Sequence, residues 1–237
     1  MSSQRASLRA ACAASLGGFL AGVQLSLVSG LLELSDFTAL IAPTIEQKTK
    51  VSVAYVAGSI IFAIPAGPIC DRFGRRAALF GIALASALAT TMMTHTSSTL
   101  TFTAARMVSG AAFSMSNIAC PMYNAEIAPT ATRGLFVNMY QLAITFGILT
   151  SQVAGVVVVL KSFSFRFPLI VAQVPSILMI VAVAKFVPET PVWLESRGRD
   201  AEAEASRMAL NIPSSRFTMG AQADSERGPD PASVISP

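Results

Sequence analysis

The residues in this chain that could do chemistry are charges set close to opposite charges. GPICDRFGRR at residues 67–76 places Asp71 among Arg72, Arg75 and Arg76, and PMYNAEIAPTATRG at residues 121–134 places Glu126 and Arg133 on either side of Pro129. Carboxylates and guanidinium groups in this pattern form charge-assisted hydrogen bonds that can be made in one conformation and broken in another. They do not build a catalytic centre. His95 is the sole histidine, and no His, Cys or carboxylate cluster points to an enzyme, a metal or a cofactor. Cys12, Cys70 and Cys120 are an odd set that reads as lone thiols in packed helices, supporting neither disulfides nor a metal site.

Within the first motif, Gly74 lets the chain reverse over a few residues at no steric cost. The three arginines suit an anionic membrane surface, where each contributes about 1 kcal/mol of attraction. Asp71 opposes such an anchor, so an ion-pair network between helices accounts better for the whole motif. Pairing Glu126 with Arg75 or Arg76 would tie the two parts of the chain together at one end. Arg106 stands alone inside an apolar stretch, where a charge is costly unless it faces the bundle interior with a partner. Gln141, Ile144 and Ile148 fall on one helical face by the i, i+3, i+7 rule. An amide beside apolar side chains is the surface a polyhydroxylated ring would need, the amide for its hydroxyls and the apolar groups for its C–H face, while a buried Gln at the same place could instead bond helix to helix. Gln24 is a weaker ligand candidate, and it, Gln152 and Asn117 are better explained by helix-to-helix hydrogen bonds.

These residues must be positioned by elements built for lipid. Apolar residues make up 53% of the chain and charged residues 13%, with a mean hydropathy of +0.59, against about 25% charge in ordinary soluble domains. Charge-poor stretches of the length needed to cross a hydrocarbon core lie at residues 10–32, 51–69, 77–95, 100–121, 135–159 and 167–187. The net charge of +4 does not signal a nucleic-acid partner, because the cations sort by loop and not onto one solvated face. Arg5, Arg9, Arg72, Arg75, Arg76, Arg133, Lys185, Arg197, Arg199, Arg207, Arg216 and Arg227 fall on one side, and Lys48, Lys50, Lys161 and Arg166 on the other. This asymmetry predicts an integral, multi-pass protein in the lipid bilayer with both termini cytoplasmic. The first apolar run is too long and too interrupted by glycine and polar residues for a cleaved signal peptide.

The spans divide into 10–95 and 100–187, the pattern of two inverted three-helix repeats. Residues 1–9 form a cytoplasmic N-terminus and 10–188 a bundle of six transmembrane helices. Residues 189–211 read as one short amphipathic cytoplasmic helix, and 212–237, rich in Pro, Ser, Gly and charge, as a disordered tail.

The two loop motifs, with PETPVWL at residues 188–194, resemble the signatures of the sugar porter branch of the major facilitator superfamily. The resemblance covers roughly residues 10–211. It implies an all-α membrane protein, the six-helix N-terminal half of a major facilitator fold, and transport of a hexose-type sugar by alternating access. The family's PESPRWL has an arginine where this chain has Val192, so one cation of the implied gate is missing while Glu189 is kept. In proton-driven members a stretch similar to GFLFGYD ends in an acid, where this chain has Gln24. No other Asp or Glu interrupts the spans, so facilitated diffusion is expected. The stretch from Gln141 is similar to the QLxIxxGIL of glucose facilitators, whose Gln lines the sugar pathway. The family's second six-helix half is not in this sequence, which leaves two readings. Transport requires a second half-transporter chain or another complementary partner, or the chain is a truncated half that moves nothing and at most associates with a full-length relative.

Overall fold

Residues 5–32, 34–161 and 163–212 are described by a computed structural model in which every regular element is helical. In chain order these are α1 (Arg5–Leu31), α2 (Ser35–Leu40), α3 (Ile45–Phe73), α4 (Arg75–His95), α5 (Thr99–Ile127), α6 (Arg133–Lys161), α7 (Arg166–Phe186), α8 (Pro191–Ser196) and α9 (Asp200–Leu210). All six long helices begin before the expected spans, and α3, α5 and α6 also end beyond them, because helical backbone continues through the interfacial region until a local signal stops it. At the start of α3 that signal is a capping box. The Thr44 side chain accepts from the Gln47 N–H, and the Gln47 side chain accepts from the Thr44 N–H.

Five of the six long helices are apolar enough to cross a membrane, and α5 is the exception. The expected span at 100–121 is therefore not a lipid-type segment by composition. Arg106, Ser109, Ser114 and Ser116 interrupt it, and all are buried. The helix lies inside the bundle, where α1, α3, α4 and α6 pack on it, so its polar groups meet protein and not lipid. α1 is likewise mostly buried, whereas α3 and α6 expose most of their apolar surface.

The two repeats show themselves in how their helices cross. α1 meets α6 where a Cβ on Gly22 would overlap the Ile144 carbonyl oxygen, and one on Gly147 the Phe19 carbonyl oxygen. α5 meets α3 in the same way, Gly110 against the Tyr55 carbonyl and Gly58 against that of Met107. Each crossing is a reciprocal glycine pair, and the same device joins the first helix of each repeat to the second helix of the other. Small residues at such crossings let backbones approach where hydrophobic association no longer operates.

α2 is not foreseen from the sequence. Its Phe37 is fully buried, with edge-to-face contacts to Phe102 at 5.2 Å and Phe165 at 5.6 Å between ring centroids. It plugs the end of the bundle opposite the signature loops. The single helix expected over 190–210 is instead two, α8 and α9, parted at Gly198, whose φ is +68°. Of the expected tail, residues 213–237 lie outside the described residues.

Candidate functional site

The turn between α3 and α4 is a single residue. Gly74 has φ +93°, and a Cβ there would overlap the Glu189 carboxylate. Arg75 follows immediately and points back into the bundle. Its Nε is 3.0 Å and its Nη2 2.9 Å from Glu126 Oε1, and its Nη1 is 3.1 Å from Asp71 Oδ1 and 3.2 Å from the Cys70 carbonyl oxygen. The Arg75 and Glu126 side chains are only 10% and 14% exposed. Arg75 therefore joins the first repeat to the end of the first helix of the second.

Glu189 approaches from beyond α7. Its Oε1 accepts the Arg75 N–H at 2.9 Å, and its two carboxylate oxygens accept the Arg76 N–H at 3.2 Å. These are first-turn N–H groups of α4, which have no partner in their own helix and carry the positive end of its dipole. Burial pushes the Glu189 carboxyl above its ordinary value, although the N–H donors of Thr190, Arg76 and Arg75 pull the other way. Tyr123 donates to the Pro188 carbonyl at 3.1 Å, and Ser206 to that of Glu189.

Asp71, Gly74, Arg75, Glu126 and Glu189 thus meet at one end of the bundle. Arg76 joins them through its backbone, while its side chain donates to the Ala184 carbonyl at 3.2 Å. The other expected members stand apart. Arg72 is exposed, its guanidinium 5.7 Å from the Phe73 ring, and Arg133 is exposed at the start of α6 with no ion pair among the described residues. Both sit where helix direction turns them to solvent. Trp193 and Arg197 were not foreseen. The indole N–H and the guanidinium both donate to the Asp71 carbonyl at 2.7 Å. A lone tryptophan beside the PET motif was the available signal for one, and nothing in the sequence pointed to the other.

Deeper in the bundle, Arg106 is 3% exposed. Its Nη1 donates to the Gln24 carbonyl at 2.9 Å, and its guanidinium lies 4.3 Å from the centroid of the Tyr55 ring. Gln24, 2% exposed, donates through Nε2 to Thr90 Oγ1 at 2.7 Å. The helix-to-helix role expected of Gln24 is what the structure shows, linking α1 to α4. Asn117 and Gln152 are exposed, and Asn117 donates to Phe113 of its own helix, so neither bridges helices as expected.

The ligand face expected on α6 is divided. Gln141 is exposed, Ile148 is half-buried, and Ile144 is buried in the crossing with α1. Ile144 lies three residues before Gly147, and the close approach there turns it inward. Only the amide end of that face is open.

A family model described as Sugar (and other) transporter matches residues 10–216. The chain is similar to plastidic glucose transporter 4 of Arabidopsis thaliana, 32% identical over 198 residues that make up 83% of this chain and 36% of the relative. It is also similar to the arabinose-proton symporter of Escherichia coli strain K12, 30% identical over 206 residues, 85% of this chain and 42% of that one. The chain thus spans 36% to 42% of the length of these relatives. Among solved structures, the proton:xylose symporter XylE of E. coli matches with a TM-score of 0.76 at 24% identity, over 91% of this chain and 52% of that one, a likeness of fold. Long apolar helices in crossed repeats, loop motifs that meet at one end and the family match over most of its length lead to one conclusion: the chain belongs to the Sugar (and other) transporter family, whose members are integral multi-pass membrane proteins, and its fold matches about half of the XylE chain.

Proposed function

We propose that this chain is the N-terminal half of a facilitator that moves hexose-type sugars across a membrane by alternating access, with both termini in the cytoplasm. The observation that carries the reading is the largely buried Arg75–Glu126 pair, held by Asp71 and framed by Glu189. Such a pair costs desolvation while it is joined and buried, and its use here is to latch the two repeats at their cytoplasmic end and to part, its charges regaining water, when the inner gate opens. Gln141 offers an open amide to sugar hydroxyls, with Ile148 and Ile144 below it, and Gln24 and Arg106 hold the helices behind.

Facilitated diffusion is the mode because the spans carry no carboxylate away from their ends to take up and release a coupling proton. Among the described residues α1, α4, α6 and α7 contain no Asp or Glu, and those of α3 and α5 lie in terminal turns. A second reading, a truncated half that moves nothing itself and acts only by associating with a full-length relative, is favoured by the large apolar surface of α3 and α6 and by Gln141 having no facing surface. Uptake of labelled hexoses into vesicles holding this chain alone tests the first. Uptake above that of empty vesicles and lost in Gln141→Ala supports it. No uptake until a full-length relative is added supports the second, and no effect in either arrangement overturns both.

A further inference from the structure

The break between α8 and α9 places a cation. Gly198 adopts φ +68°, and an added Cβ would meet nothing within 4 Å, so the glycine serves the backbone turn and not packing. That turn ends α8 at Ser196 and leaves Arg197 free to reach back across the end of α3. Its Nη2 donates to the Asp71 carbonyl at 2.7 Å and to the Arg72 carbonyl at 3.1 Å. These are among the last carbonyls of α3, which no later turn of the helix can satisfy and which carry the negative end of its dipole. Trp193 donates to the same Asp71 oxygen at 2.7 Å, and its ring lies 5.4 Å from the Arg197 guanidinium. The guanidinium is therefore held on an aromatic face while it caps the helix.

Glu189 occupies the other side of the same turn, on the N–H groups that open α4. One segment thus sets an acid against the positive end of α4 and a cation against the negative end of α3. Val192, on the same short helix, brings no charge to this contact. We propose that Arg197 is a positioning residue of the latch, capping α3 so that the Gly74 turn keeps Arg75 on Asp71 and Glu126. This inference rests on the gating role proposed above for the Arg75–Glu126 pair.

Cys70 reports on it without reference to transport. The thiol is fully buried, and its carbonyl accepts from Arg75 Nη1, so parting of α3 from Arg75 exposes it to N-ethylmaleimide. Cys120, also fully buried but two turns inside α5, serves as the fold control in the same sample. With the full chain in lipid vesicles and alkylation resolved by mass spectrometry, Arg197→Gln raises the Cys70 rate about fivefold and leaves Cys120 unchanged, while Arg197→Lys, which keeps the charge at the helix end, stays within about twofold of the parent. An unchanged Cys70 rate in Arg197→Gln, or Cys70 and Cys120 rising together, overturns the positioning role. Arg75→Gln in parallel separates the two claims. If it exposes Cys70 and Arg197→Gln does not, the Arg197 inference alone fails; if it too leaves Cys70 protected, the gating reading fails.

Discussion

Arg75 gathers four contacts into one side chain and its own N–H: Glu126, Asp71, the Cys70 carbonyl and Glu189. Removing one member of a largely buried pair leaves the other charge without compensation, a cost of about 3–5 kcal/mol. Arg75→Gln and Glu126→Gln are each expected to lower stability by that order, and the double variant by less than the sum, as chemical denaturation in detergent will measure. Glu189 gives a pH dependence of known sign. Its carboxyl is raised by burial, so the folded protein holds that proton at pH values where the unfolded chain has released it. The stabilisation is complete below the ordinary carboxylate range and is lost as pH climbs through the raised value. Melting temperatures followed over that window should fall with rising pH, and Glu189→Gln should flatten this component.

Helices here are placed by where they touch and by where they stop. At the two crossings there is no room for a side chain. Gly22→Leu or Gly110→Leu drives an isobutyl group into a facing backbone and should abolish the monodisperse folded fraction on gel filtration. Gly81→Ala, in open space on α4, should be neutral or slightly stabilising, because alanine is the better helix former by about 1 kcal/mol. Gly198→Ala should cost about 1 kcal/mol for a left-handed non-glycine backbone, and Gly198→Asn less; thermal melts of the two variants check the order. The motif residues on these helices were legible because a turn of this kind needs Gly74 and its charges in sequence. The split of α8 from α9 was not, since the apolar and charged pattern of 190–210 suits one helix and a single glycine cannot announce its own φ.

At the scale of the molecule, the centrally placed α1 and α5 carry more than half of the buried polar residues among those described, and α3 and α6 carry much of the exposed apolar surface. Under the transport reading, the open face of α6 divides between water and lipid. Gln141→Cys should react with an aqueous maleimide and be protected by hexose, while Leu149→Cys, also exposed in the described half, should react only with lipid-soluble reagents. Equal reactivity of both toward the aqueous reagent would place the sugar pathway elsewhere.

The number of long helices, their repeat arrangement and the meeting of Asp71, Arg75, Glu126 and Glu189 at the signature loops were carried by sequence. Span length, loop charge and turn chemistry are local properties, readable from neighbours in the chain. Which arginine takes Glu126, why Arg133 stands apart, how Glu189 and Arg197 grip one turn from opposite helix ends, and why Ile144 turns inward while Gln141 does not were decided by tertiary structure alone. Each depends on the direction of one helix against another, set by glycine crossings between residues far apart in the chain, and no local pattern encodes that angle.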